Sequence, residues 1–189
     1  MDSLVVFPSG VVVELRLGDI TRAQTDAVVT AANASLSGGG GVDGAIHAAA
    51  GPRLLKHIRQ LGGSETGQAV MSPAFDLESQ GVKHVIHAVG PIWYGGSYDE
   101  PSLLESAYRR SLDLAVEHQL KTIAFPAISA GVYDYPIEAA ARVAIRSVVE
   151  YLRPPGESIE RVEFYLFDEP ALDAFSSALE EASERQGHR

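Results

Sequence analysis

The sequence predicts an α/β protein built around a mixed sheet. Three observations carry that expectation. Short apolar runs of strand length alternate with longer segments of helical periodicity, as layered α/β proteins require. A glycine-rich stretch, Gly38-Gly39-Gly40-Gly41-Val42-Asp43-Gly44, stands between one apolar run and a helix. A second strand–loop–helix junction, Pro126 to Pro136, repeats that order.

The elements follow in turn. The first 20 residues alternate apolar and polar around Pro8-Ser9-Gly10 and read as two strands joined by a turn. Asp26 to Ala32 reads as a short buried strand. Helices are expected over Gly44 to Ala50 and Arg53 to Leu61, and strands over Gln68 to Ser72 and His84 to Val89. Pro101 to His118 places Leu104, Tyr108, Leu112, Ala115 and Val116 on one helical face. Asp99 is the expected cap of that helix, with Pro101 in its first turn. Thr122 to Phe125 reads as a buried strand and Pro136 to Leu152 as an amphipathic helix stopped by Arg153-Pro154-Pro155-Gly156. Arg161 to Phe167 is the last strand and Pro170 to Ala182 the last helix. No repeat or linker interrupts the chain, so one domain is expected over residues 1–183, with 184–189 as a frayed tail.

Composition narrows the function. The 189 residues suffice for one sizeable core. No apolar run approaches the roughly 20 residues of a membrane helix, and the start lacks the signature of a signal peptide. A cytoplasmic protein with no membrane partner is therefore expected, and a monomer. The formal charge of −10 disfavours sequence-independent binding to nucleic-acid backbone. With no cysteine there is no thiol nucleophile and no Cys-ligated zinc. Of the six histidines only His84 and His87 lie close in sequence, and they read as strand residues, so no metal site is expected.

Glycine lets backbone N–H groups approach a ligand because no Cβ intervenes. The glycine loop delivers one acid, Asp43, at the start of a helix, shortly after Asn33. This is a site for a polar, phosphorylated ligand. Each residue has a plainer reading: Asp43 could cap its helix, Asn33 could stabilise a turn, and Asp19 could be a turn acid. His47 reads as a packed or hydrogen-bonding structural residue, and Trp93-Tyr94-Gly95-Gly96 as either a lid or simple packing. Residues 39–44 match the dinucleotide fingerprint G-x-G-x-x-G, but Asn33 to Gly38 intervene after the strand, which argues against a nicotinamide enzyme. No Lys-Ser/Thr pair follows the glycines, which excludes a P-loop. In the second loop Gly131 permits a sharp turn, Tyr133 offers an aromatic face, and the helix start favours an anion.

Four segments together resemble the macrodomain family, most closely its MacroD-type ADP-ribosylhydrolases. They are Gly18-Asp19-Ile20-Thr21; Ala31-Ala32-Asn33 leading into Gly38 through His47; Val85 through Pro91; and Ala124 through Tyr133. The resemblance runs from Gly18 to about Phe167. It implies a three-layer α/β/α sandwich with a mixed sheet of about six strands, and ADP-ribose lying across the sheet's carboxyl end. By the same resemblance Asp19 accepts from the adenine amino group, the Ile20 N–H lies beside it, and Phe167 packs on adenine. Ser129, Ala130, Gly131, Val132 and Tyr133 would wrap the diphosphate. Gly38 through Val42, including Gly40 and Gly41, would close over the distal ribose, and Asn33 and Asp43 would be catalytic. The implied activity is metal-independent, cofactor-free hydrolysis of ADP-ribosyl esters. Its substrates would be O-acetyl-ADP-ribose or modified Asp and Glu on proteins, with ADP-ribosylated nucleic-acid ends a further class. A non-catalytic ADP-ribose-binding module is the alternative.

The chain departs from the family pattern in four places: Thr30 replaces an asparagine, Ala48 an arginine, Ala130 a threonine and Asp134 a glycine. Thr30 lacks an amide that both donates and accepts. Ala130 lacks a hydroxyl near the phosphates, and Asp134 adds negative charge there.

Overall fold

The computed structural model describes residues 3–187. Seven strands form one sheet: β1 (Ser3–Val6), β2 (Val12–Leu17), β3 (Ala27–Ala31), β4 (Ala69–Pro73), β5 (His84–Ala88), β6 (Thr122–Phe125) and β7 (Arg161–Leu166). Their spatial order is β1-β2-β7-β6-β3-β5-β4. The five central strands run parallel, and β1 and β4 close the two edges antiparallel. The sheet is mixed, as expected, but has seven strands rather than about six. The additional strand is not a surprise in the residues themselves, since seven strand-like runs are present.

Five helices cover the sheet: α1 (Gly41–Ala50), α2 (Pro52–Arg59), α3 (Glu100–Glu117), α4 (Ile137–Tyr151) and α5 (Glu169–Gly187). The period-two alternation of strands decides which face each residue serves. Val29, Ile86, Phe125 and Phe164 join Leu104, Tyr108, Leu112, Val148 and Phe175 in the core under α3, α4 and α5. Their neighbours Val28, Val85 and Ala124 join Ile46, Leu54 and Ile58 under α1 and α2. Helices on both faces of one sheet make the three-layer α/β/α sandwich. On β2 and β7 the face away from the larger core carries a charged ladder instead: Arg16 lies 3.2 Å from Glu14 and 3.4 Å from Glu163, and Arg161 pairs with Glu14.

Boundaries differ from expectation where local chemistry intervenes. α1 begins three residues early, at Gly41, with Gly40 before it and no side-chain cap bond, so Asp43 sits inside the first turn and is not the cap. Asp99 occupies the N-cap of α3 in a left-handed conformation but makes no capping bond. Two short 3-10 helices, Ile20–Arg22 and Phe75–Gln80, were not anticipated. α5 continues to Gly187, through part of the segment expected as a tail, and residues 188–189 lie outside the described residues.

Candidate functional site

The parallel strands end along one sheet edge, the usual place for ligands in open α/β sheets. Asp19, Phe167, Asn33, Gly90 and the loop after Phe125 all follow those ends. The Gly18 N–H donates to the Leu166 carbonyl at 2.9 Å, joining the ends of β2 and β7. Asp19 caps the first 3-10 helix: its Oδ1 accepts from the Thr21 hydroxyl (2.7 Å) and the Thr21 N–H (2.9 Å). These two bonds hold its pKa below the ordinary carboxylate value. Asp19 is exposed, while Ile20 behind it is buried. Phe167 is 89% exposed beyond β7, an aromatic with no partner of its own to cover it.

Asn33 organises the loop that leaves β3. Its Nδ2 donates to the Gly38 carbonyl (3.0 Å) and to Ser37 Oγ (3.2 Å), and its Oδ1 accepts from the Ser37 N–H (3.1 Å) and the Ser35 hydroxyl (3.1 Å). The turn-stabilising reading of Asn33 is thus realised, and the amide sets the approach to the glycines.

Asp43 is buried at the head of α1. Its Oδ1 accepts from the Thr30 hydroxyl at 2.8 Å and stands 3.5 Å from His47 Nε2. A Cβ placed on Gly39 would lie 3.7 Å from Oδ2, so the second oxygen faces the glycine loop. Burial raises the Asp43 pKa, and the Thr30 hydrogen bond and nearby His47 only partly oppose it. Thr30, one of the departures from the family pattern, therefore holds the carboxylate directly.

His87 completes a group that sequence spacing hid. It lies opposite Thr30 in the β3–β5 register and is fully buried. Burial, then His47 and His57, push its pKa down to about 3. Asp43, His47 and His87 offer ligand atoms that all lie within 4.8 Å of one another. His87 lies far from Asp43 and His47 in the sequence, and only the pairing of β3 with β5 brings it to them.

The loop from Pro126 to Pro136 forms the other wall. Ser129 (φ +66°) and Asp134 (φ +57°) are left-handed, which folds the loop back on itself. The Tyr135 N–H donates to the Ser129 carbonyl (3.0 Å), and the Asp134 N–H to the Gly131 carbonyl (3.0 Å). Among the described residues the N–H groups of Gly131, Val132 and Tyr133 donate to nothing. Val132 is 90% exposed and Ala130 is half-buried. Gly90, after β5, passes so close that a Cβ there would sit 2.2 Å from Ser129 Oγ.

A third loop braces this wall. The Trp93 N–H donates to the Tyr133 carbonyl at 2.9 Å, and the Trp93 ring packs on Tyr135 with centroids 4.6 Å apart. Trp93 therefore packs, while Tyr94 and Tyr98 are exposed. The loop is held by buried Glu100, whose carboxylate accepts from the N–H groups of Tyr94 (3.1 Å), Gly96 (2.6 Å) and Tyr98. Burial opposes ionisation of Glu100, but these donors outweigh it and its pKa is lowered.

The macro domain family model matches residues 29–144, from β3 into α4. The chain belongs to the macro domain family. A macro domain-containing protein of Chlorobaculum tepidum is 50% identical over 172 residues, covering 91% of this chain and 98% of that one. A protein of Salmonella typhimurium named O-acetyl-ADP-ribose deacetylase is 51% identical over 166 residues, covering 86% and 90%. Among solved structures, an Oceanobacillus iheyensis macrodomain variant with ADP-ribose superposes with a TM-score of 0.90 at 35% identity, covering 97% of this chain and all of that one. The Trypanosoma brucei macrodomain in complex with ADP-ribose gives 0.82 at 35% identity, covering 88% and 68%. The likeness of this macro domain to them spans nearly the whole chain.

Proposed function

We propose that this macro domain binds ADP-ribose and hydrolyses ADP-ribosyl esters in the manner of the MacroD-type enzymes. The observation that carries the reading is Asp43: a buried carboxylate with one oxygen tied to Thr30 and the other turned towards a loop of glycines. The relatives named O-acetyl-ADP-ribose deacetylase support it. So do the structures of the Oceanobacillus iheyensis macrodomain altered at an asparagine, at a glycine seven residues on, and at an aspartate three further on. Asn33, Gly40 and Asp43 have that same spacing.

Adenine would lie by Asp19 and Phe167, the diphosphate on the free N–H groups of Gly131 to Tyr133, and the distal ribose under Gly40, Gly41 and Val42. Free N–H groups at a loop and a helix start bind an anion through dipoles, so a chain of charge −10 needs no cationic side chain there. Ionised Asp43 orients a water through Oδ2 and takes its proton. The water's oxygen adds to the acyl carbon, the acyl–oxygen bond breaks, and the ribose oxygen leaves with a proton. A carboxylate with a raised pKa is the better base for this step.

One observation favours the non-catalytic alternative: the Asn33 amide is committed to its own loop. Incubation with O-acetyl-ADP-ribose, and with a protein modified on Asp and Glu, separates the two. Release of acetate or ADP-ribose by wild type, with Asp43→Ala losing at least about 10²-fold in kcat and keeping most affinity, is the expected result. Tight binding without turnover makes the protein a reader of ADP-ribose.

A further inference from the structure

Beneath the glycine loop, three side chains able to ligate a cation converge from two elements. Asp43 and His47 lie one turn apart on α1, and His87 arrives on β5. Their candidate ligand atoms lie within 4.8 Å of one another. Among the described residues neither ring nitrogen of partly buried His47 makes a hydrogen bond. His87 Nε2 lies 2.9 Å from Ser72 Oγ, and the Ser72 hydroxyl itself points at the carbonyls of Pro73 (3.1 Å) and Val85 (3.4 Å). With its hydrogen on one of these carbonyls, Ser72 Oγ is free to accept from the His87 Nε2–H. In that tautomer Nδ1 carries a buried lone pair, and among the described residues nothing hydrogen-bonds to it. A ring nitrogen whose opposite N–H is anchored is the arrangement metal-ligating histidines use. An unpaired buried polar atom is costly without such an occupant.

We propose that Asp43, His47 and His87 form a binding site for a zinc-type divalent cation, and that the bound ion withdraws Asp43 from the water it would otherwise orient. The second half rests on the hydrolase reading and the first does not. Two imidazoles and one carboxylate suit Zn²⁺, Co²⁺ or Ni²⁺ and are a poor set for Mg²⁺ or Ca²⁺. Tetrahedral bonds of about 2.0–2.1 Å place ligand atoms roughly 3.3 Å apart. The Asp43–His47 pair, at 3.5 Å, already has that spacing. The ligand atom of His87 lies within 4.8 Å of both. The His47 side chain is 13% exposed, which gives an ion its way in.

The test uses the full chain, without a polyhistidine tag, after treatment with chelator. Addition of Co²⁺ should give the visible d–d bands of a four- or five-coordinate ion, saturating at one equivalent and displaced by Zn²⁺. His47→Gln and His87→Gln should each weaken binding at least about tenfold, the loss that removal of even an outer partner brings. Circular dichroism checks that both variants fold, and His47→Gln alone decides should buried His87 prove indispensable to folding. The rival site is the His84–His118 pair, with ring centroids 5.3 Å apart. The double variant His84→Gln, His118→Gln should bind Co²⁺ as wild type does. No bands, bands that survive His47→Gln, or bands lost only with His84 and His118 overturn the site. Hydrolysis by wild type should fall with Zn²⁺ over the concentration range of binding. Zinc bound at the three residues with hydrolysis unchanged keeps the site and removes Asp43 from the mechanism.

Discussion

Thr30 tempers the rise in basicity that burial gives Asp43. Its hydroxyl donates to Oδ1 from a fully buried position, and this bond lowers a pKa that burial raises. Thr30→Val keeps the shape and removes the donor. A hydrogen bond to a charged group is worth about 1.5–3 kcal/mol, so its loss should raise the Asp43 pKa further. The acidic limb of the pH–rate profile should move to higher pH, because the active form is the carboxylate. An unmoved limb would mean that another group sets it. Asp134 is the second informative residue. It holds a left-handed φ of +57°, a conformation glycine adopts without strain, and its carboxylate stands in the loop proposed to carry phosphate. Asp134→Gly should tighten ADP-ribose by about 0.5–1 kcal/mol after screening. Calorimetric titration at low and high salt separates the causes. Charge repulsion gives a gain that shrinks with salt, backbone relief gives one that does not, and no gain assigns Asp134 to shaping the loop.

At the scale of elements, the site depends on close approach between loops that belong to different strands. Gly90 after β5 touches the loop after β6, where a Cβ would lie 2.2 Å from Ser129 Oγ and 2.5 Å from Ile128 Cγ2. Gly90→Ala should therefore push the Ser129 loop outward and weaken ADP-ribose about tenfold or more, an effect of about 1.4 kcal/mol. Unchanged affinity in a titration would show that the loop gives way without moving its N–H groups. The element order itself was legible, because period-two runs such as Val28-Val29 and Val85-Ile86 supply both cores and helical stripes such as Leu104, Tyr108 and Leu112 face one of them. The 3-10 helices were not legible: they have no apolar period, and Ile20–Arg22 is closed by the Arg22 N–H to Asp19 and Ala23 N–H to Ile20 carbonyl bonds and capped by two bonds from Thr21 to the Asp19 carboxylate. The glycine loop, Asp43 and the second loop could be singled out from local composition. The role of Thr30 and the convergence of His87 could not, since both arise from the register that sets Thr30 opposite His87. Glu100 was equally hidden, because a helix's first acid does not reveal that it folds the preceding loop around itself.

For the whole molecule, two buried groups on the same side of the sheet pull stability in opposite directions with pH. His87 titrates near 6.5 when unfolded and at about 3 in the fold. Between those values the unfolded chain binds a proton that the folded chain refuses, so stability falls as the pH falls from about 6.5 towards 3. Asp43 acts the other way. Its pKa is raised in the fold, so burying its charge is a cost at neutral pH that protonation relieves on acidification. The histidine's contribution can be isolated by difference. Urea unfolding of wild type and His87→Gln between about pH 4 and 6 should give slopes that differ by up to about 1.4 kcal/mol per pH unit, the value for one proton. Wild type should be the steeper. The variant's absolute stability does not enter, because lost packing and the lost contact to Ser72 shift all points alike while only titration changes the slope. Parallel lines would mean that His87 takes up its proton in the folded protein as readily as in the unfolded chain, and that the site beneath the glycine loop admits charge and water.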